Sequence, residues 1–347
     1  MTTRAAIIGL GGVSAMHVRK LARLPGVEIA GICDLSQTVA DAVAERDGVG
    51  PVFTDHRRLL AEVRPDAVHV TTPPHTHRAI ACDALEAGAH VLVEKPIATS
   101  WSDYAAMRDA ARRADRMLVE NHNYLFGDTV QRALAAVREG RIGDVVTVDV
   151  SYGIPLAQRD GPYAERHLPH FAHAMPGGAM QNFATHAAYL TLAFLGDFRD
   201  VHVWTGRRAP DGLSDDEMRA LVTAERRCGV LTLTSHAQPS YCWVLVRGDA
   251  GTLELDVYNW RLHIEGAGAG PAKIGAGLRH GAGYVASTLA LTARAATARH
   301  DYYQGLERLL ALFYEAIGTG GPPPVPPEDM DRTNRLMAAL FFPAAAA

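Results

Sequence analysis

Five short apolar runs punctuate the first 120 residues, and amphipathic stretches separate them. The runs are Arg4–Gly9, Val27–Asp34, Ala67–Val70, His90–Val93 and Met117–Glu120. Helices are expected from Val13 to Leu24, from Ser36 to about Asp47, and near 75–88 and 100–115. Strands without a polar face must be covered on both sides, which calls for a parallel sheet between helical layers. Right-handed crossovers then make residues 1–122 an α/β, doubly wound domain.

Beyond residue 123 the pattern changes. A helix over Asp128–Arg138 leads into a strand-like run, Asp144–Tyr152, and further runs follow near 200–206, 220–224, 230–236, 241–247 and 252–257. Consecutive strands joined by short turns such as Arg247–Gly251 imply an open, largely antiparallel sheet. Residues 123–347 are therefore expected to form an α+β domain. The Ala-rich stretch Gly283–Ala298 suits an interface or packing helix. A helical run over Gln304–Ile317 and the proline-rich connection Pro322–Pro327 precede a final helix, about 328–341, which can pack back on the first domain.

A chain of 347 residues fits about two domains. Its net charge of -4, from 34 basic and 38 acidic residues, argues against a nucleic-acid partner and against a polybasic membrane surface. No apolar run reaches the ~18 residues of a membrane span. The first strand begins at residue 4, leaving no room for a signal peptide. The four cysteines, Cys33, Cys82, Cys228 and Cys242, are scattered without a CxxC pair. Reduced thiols and a cytoplasmic location are the expectation.

The turn Gly9-Leu10-Gly11-Gly12-Val13-Ser14 follows a strand and opens a helix, the context in which a glycine fingerprint carries meaning. Gly9 permits the tight turn, Gly11 lets the backbone approach a pyrophosphate, and the helix N-terminus favours that charge. Ser14 stands at the third position in place of glycine, so the helix is expected slightly farther from its strand. Asp34 ends the second strand, where a carboxylate accepts from a ribose 2′-hydroxyl and repels a 2′-phosphate. No arginine adjoins it, so NAD is expected over NADP. The plain alternative is that Asp34 only caps the following helix.

Two further segments bear on chemistry. One runs from Thr71-Thr72-Pro73-Pro74-His75-Thr76-His77 to Glu94-Lys95-Pro96, placing Glu94 and Lys95 at the end of a parallel strand. The other, Gly177-Gly-Ala-Met-Gln-Asn182-Phe-Ala-Thr-His186, sets Asn182 and His186 four apart on one helix face. With the glycine turn and His17, these segments resemble the Gfo/Idh/MocA family of oxidoreductases, from residue 4 to about 260 and more loosely beyond. That resemblance implies a Rossmann domain, a second domain whose open sheet often mediates homodimers or homotetramers, and redox chemistry on one carbinol of a sugar, cyclitol or polyol.

By position, the resemblance implies that Lys95 is the active-site lysine and His186 the active-site histidine. Oxidising a secondary alcohol needs a base for the hydroxyl proton, which imidazole suits. An ammonium at Lys95 would stabilise the developing alkoxide. Asn182 would orient His186 or bind a substrate hydroxyl, although many relatives carry Asp there. Cofactor contacts are expected from Gly9, Leu10, Gly11, Gly12, Val13, Asp34, Thr71, Thr72, Pro73, His77, Glu94, Lys95 and Asn123. Substrate contacts are expected from Tyr152, Arg166, His167, Asn182 and His186. Leu125 stands where relatives often place Arg, which points to a less polar substrate group.

His167, His170 and His173 recur every third residue, but Pro169 breaks a regular helix and no carboxylate or thiolate completes a shell, so no metal is expected. The remaining alternatives are reduction of an imine or enone on the same fold, transient use of bound NAD for epimerisation or glycoside cleavage, and a non-catalytic dinucleotide-bound sensor.

Overall fold

The computed structural model describes residues 2–156, 170–208, 215–266, 271–296, 303 and 305–342. The chain divides into two units, Met1–His122 with Leu306–Asn334, and Asn123–Gly305 with Arg335–Ala347.

In the first unit, strands β1 (Thr3–Ile8), β2 (Val27–Cys33), β3 (Val52–Phe53), β4 (Ala67–Val70), β5 (His90–Val93) and β6 (Leu118–Glu120) form one parallel sheet. Its order is β3-β2-β1-β4-β5-β6. Helices α1 (Ser14–Leu21), α2 (Gln37–Asp47), α3 (His56–Val63), α4 (Pro74–Glu86) and α5 (Trp101–Ala114) provide the crossovers. Ser36, Asp55 and Ser100 cap α2, α3 and α5 through their side chains, whereas α1 begins with no side-chain cap. Every residue of β4 is buried, as a strand covered on both faces requires.

Strand β3 and helix α3 escaped the sequence reading. A two-residue strand leaves no periodicity, and α3 opens with His56-Arg57-Arg58 before its buried Leu59, Leu60 and Val63. Helix α10 (Leu306–Thr319) also belongs to this unit and buries Leu306, Leu309, Leu310 and Phe313. Each such side chain contributes about 1.5–3 kcal/mol. The sequence reading had kept this segment with the second domain. The first half of α11 (Pro327–Phe341) joins the same unit, where the Tyr104 hydroxyl donates to Asp331 at 2.6 Å.

The second unit holds a seven-stranded sheet of β7 (Val145–Gly153), β8 (Asp200–Gly206), β9 (Glu217–Thr223), β10 (Cys228–Thr234), β11 (Tyr241–Gly248), β12 (Gly251–Asp256) and β13 (Arg261–Gly266). The order is β13-β12-β11-β7-β10-β9-β8. All pairs are antiparallel except β7 and β10, between which the described chain passes through two helices and two strands. β13 was not anticipated, because Arg261, His263 and Glu265 interrupt its two apolar residues.

Helix α8 (Gly178–Leu195) is apolar nearly all round and packs with the inward residues of the sheet, among them Val148, Val150, Leu231, Leu233, Val244 and Val246. Alternate strand residues point the other way and leave Trp204 and Trp243 more than half exposed, with Leu221 and Val230 also exposed. Helix α6 (Asp128–Arg138) lies before the sheet in sequence, α7 (Phe171–Ala174) precedes α8, and α9 (Pro271–Ala296) follows β13. Of the helix expected over 283–298, the described part, 283–296, is the later portion of a longer helix, and 297–298 lie outside the described residues. Among the described residues, no helix is long and apolar enough to cross a membrane.

Candidate active site

The strand order of the first unit reverses between β1 and β4, so the turns after these strands stand at the switch point where open α/β sheets take ligands. Gly9 has φ +93°, and a Cβ on it would lie 2.5 Å from Thr72 Cγ2 and 2.7 Å from the Thr72 nitrogen. The Thr71 hydroxyl donates to the Gly9 carbonyl at 2.5 Å. Gly9 is therefore glycine because two turns meet there. At Gly11 and Gly12 a Cβ would meet nothing within 4 Å. Both face open space beside the uncapped start of α1, a cradle fit for a phosphate. Ser14 is buried in place of a third glycine, and its hydroxyl donates to the Gly11 carbonyl at 2.6 Å.

The Asp34 carboxylate accepts from the Leu10 amide at 2.8 Å through one oxygen and from the Ser36 amide at 2.9 Å through the other. Ser36, not Asp34, caps α2. Asp34 thus pins the glycine turn to the end of β2. The turn after β4 is held from below by His77, which is fully buried. Its Nε2 lies 2.8 Å from the Thr72 carbonyl and its Nδ1 lies 3.1 Å from the Ile97 carbonyl. Burial lowers its pKa against the pull of those carbonyls. His77 therefore ties two loops together from inside the fold.

Glu94 and Lys95 follow β5 directly. Oε1 of Glu94 accepts from His17 Nε2 at 2.9 Å and from Asn121 Nδ2 at 2.5 Å, and Oε2 accepts from the Lys95 amide at 3.3 Å. Burial pushes the Glu94 carboxyl up, but His17, Lys95 and Asn121 outweigh it and hold it below the usual carboxylate range. Burial lowers the Lys95 ammonium, with Glu94 and Glu120 pulling the other way. Glu120 is itself buried at the end of β6, where its carboxylate accepts from the Ile97 amide and from Asn334 Nδ2, each at 3.0 Å. The sequence reading missed Glu120, Asn121 and His69. Their common signal is a polar residue in or just after a buried strand.

In the second unit, Asn182 and His186 are both buried on α8. His186 Nδ1 lies 2.6 Å from the Tyr189 hydroxyl, and the imidazole stacks on Tyr124 with centroids 4.3 Å apart and 17° between planes. Tyr152 tilts against the same ring at 5.9 Å, and the Tyr258 hydroxyl donates to that of Tyr152 at 3.0 Å. Burial pushes the phenols of Tyr124 and Tyr152 well above their usual range, so both stay neutral. Tyr152 was expected near the substrate. Tyr124, Tyr189 and Tyr258 were not singled out, although Tyr189 stands three residues beyond His186 on one helix face.

Asn123 is buried in the 3-10 turn Asn123–Phe126 of this unit. Arg166 and His167 lie outside the described residues. His170 Nδ1 accepts from the Ala172 amide at 3.2 Å and so caps α7. Among the described residues, no group of three or more His, Cys, Asp or Glu could hold a metal ion.

Comparison with known proteins agrees with this architecture. A glycosyl hydrolase family 109 protein of Akkermansia muciniphila is 36% identical over 160 residues, 43% of this chain, and the match spans 33% of that relative's length. The D-xylose 1-dehydrogenase (NADP(+)) 2 of Haloferax volcanii is 26% identical over 335 residues, 96% of this chain and 95% of its own. The structure of levoglucosan dehydrogenase with NADH and levoglucosan shares the fold, with a TM-score of 0.81 at 20% identity over 99% of this chain and 98% of that one. Residues 3–122 match the model of the Gfo/Idh/MocA oxidoreductase family's NAD-binding Rossmann fold, and residues 130–254 match its C-terminal domain. With both domains matched in order, the chain belongs to the Gfo/Idh/MocA family of oxidoreductases.

Proposed function

We propose that this protein is an NAD-dependent dehydrogenase or reductase acting on a secondary alcohol or ketone of a sugar-, cyclitol- or polyol-like substrate. The observation that carries this reading is Lys95, its ammonium pKa lowered by burial, following an ionised Glu94 at the end of β5. A full-length relative named as a xylose dehydrogenase and a fold neighbour named as a levoglucosan dehydrogenase support the substrate class. Bound NAD would supply the hydride acceptor at its nicotinamide ring. Gly11, Gly12 and the start of α1 hold the pyrophosphate, and Asp34 accepts from the ribose hydroxyls. Thr71, Thr72, Pro73, Glu94 and Asn123 serve the nicotinamide end, while His77 fixes the loop that carries Thr72.

Lys95 stabilises the alkoxide through its ammonium, and His186 accepts the hydroxyl proton at Nε2. For that, His186 must carry its other proton on Nδ1 and donate it to the Tyr189 oxygen. Asn182, four residues before His186, orients substrate hydroxyls or the ring. The exposed sheet face around Trp204 and Trp243 suits self-association.

The family 109 relative favours a second reading, in which tightly held NAD is reduced and reoxidised within one turnover. The test is to incubate the purified protein with NAD or NADP and a panel of sugars, cyclitols and polyols while following nicotinamide absorbance. Turnover on one compound with NAD, reduced about 10³-fold in Lys95→Ala, is the expected result. Silence with NAD(H) released on denaturation supports the second reading. No bound cofactor and no binding of added NAD overturn both.

A further inference from the structure

Four buried side chains of the first unit form one hydrogen-bonded line. The Tyr314 hydroxyl lies 2.8 Å from His69 Nε2, His69 Nδ1 lies 2.9 Å from His17 Nδ1, and His17 Nε2 lies 2.9 Å from Glu94 Oε1. His17 and His69 are 0% exposed. They come from α1 and from the central strand β4, and Tyr314 comes from α10. Polar groups so placed cost stability unless each proton has an acceptor.

With His17 neutral the line has one consistent order, whereas a cationic His17 would reverse the bonds to His69 and Tyr314. Asn121 Nδ2 donates to the same Glu94 oxygen that faces His17, and the Lys95 side chain adds positive charge nearby. Glu94 therefore accepts, and His17 donates from Nε2. A neutral His17 then presents a lone pair at Nδ1, so His69 donates from its own Nδ1. His69 Nε2 is left as an acceptor, and Tyr314 donates to it. Burial lowers the His69 pKa, consistent with a neutral ring. Every proton in the line points toward Glu94.

We propose that His17 is a positioning residue that, oriented by His69 and Tyr314, holds Glu94 as an anion beside Lys95 and so keeps the lysine protonated. Two donors occupy Oε1, and Oε2 remains on the side of the Lys95 backbone. The charged and titratable groups acting on Glu94 are His17, Lys95 and His77, and those acting on Lys95 are Glu94 and Glu120. This inference rests on the reading of Lys95 as the active-site lysine, but its test reads the lysine without turnover.

The chain has three lysines, Lys20, Lys95 and Lys273, so reductive ¹³C-methylation of the whole protein gives a simple spectrum in which Lys95 is the signal absent from Lys95→Arg. Titrating that signal in His17→Phe should move its midpoint down by about one pH unit, because a Glu94 without its donor takes up a proton. His17→Gln, whose amide can donate to Oε1, should restore the original midpoint. Unchanged Lys20 and Lys273 signals show that a variant is folded. In the unaltered protein, ¹⁵N-histidine spectra should place the proton of His17 on Nε2 and that of His69 on Nδ1, a reading that needs no variant. The reverse tautomers, or a Lys95 midpoint that His17→Phe leaves in place, overturn the inference. A protein that passes both tests yet oxidises nothing with NAD loses the proposed function alone.

Discussion

The two units handle a proton-bearing side chain in different ways. Glu94 sits among hydrogen bonds from His17, Asn121 and the Lys95 amide, each with an assigned direction. His186 sits among rings, stacked on Tyr124 and edged by Tyr152 and Tyr189, with the Tyr189 hydroxyl on one nitrogen. The first arrangement stabilises a charge, and the second encloses an imidazole in aromatic rings. A carboxylate needs donors to remain ionised when buried, whereas an imidazole that must take and return a proton needs a neutral surrounding.

The contrast can be broken from either side. His186→Phe preserves the stack on Tyr124 and removes the base, so kcat/KM should fall by about 10²–10⁴ while the melting temperature stays within a few degrees. Steady-state kinetics and calorimetry on the same sample read both. Gly9→Ala should cost about 2–4 kcal/mol of stability, because its φ and the Thr72 contact both oppose a Cβ. Gly11→Ala has room and should melt normally, yet bind NAD about tenfold more weakly in titration calorimetry.

Glu94→Gln should destabilise the protein by about 1–3 kcal/mol at neutral pH. Because Glu94 has a lowered folded-state pKa, its contribution is fully present above the ordinary carboxylate pKa and is lost as pH falls through the lowered one. The gap between the two proteins in denaturant melts should therefore close in acid, and a gap independent of pH would contradict the ionised carboxylate. Tyr189→Phe is the smallest change. Loss of one hydroxyl bond to His186 should cost about 1 kcal/mol, a factor of about five in kcat/KM.

The first unit was the more legible in sequence because its chemistry follows its strands. Gly9, Asp34, Thr71 and Glu94 each stand at a strand's end, and apolar runs mark strands well. What eluded the sequence there was short or unusual: β3 with two residues, and His69 inside a strand where only apolar residues were expected. In the second unit the helix carrying Asn182 and His186 was legible from its spacing. The rings around His186 come from residues 124, 152, 189 and 258, and only tertiary packing brings such positions together. The third-position serine adds a hydrogen bond to the Gly11 carbonyl that its residue type alone did not announce.

The first unit closes with residues from the far end of the chain. Leu309, Leu310 and Phe313 are buried in it, the Tyr314 hydroxyl is hydrogen-bonded to His69, and Asn334 donates to Glu120. During synthesis the leading 122 residues leave the ribosome well before any of these partners exists. Until then His69 and Glu120 lack those partners, and the surface meant for α10 is bare. The unit that comes first in sequence therefore cannot close until α10 and the first half of α11 have been made, and nascent chains stalled after residue 122 should engage chaperones until those segments emerge.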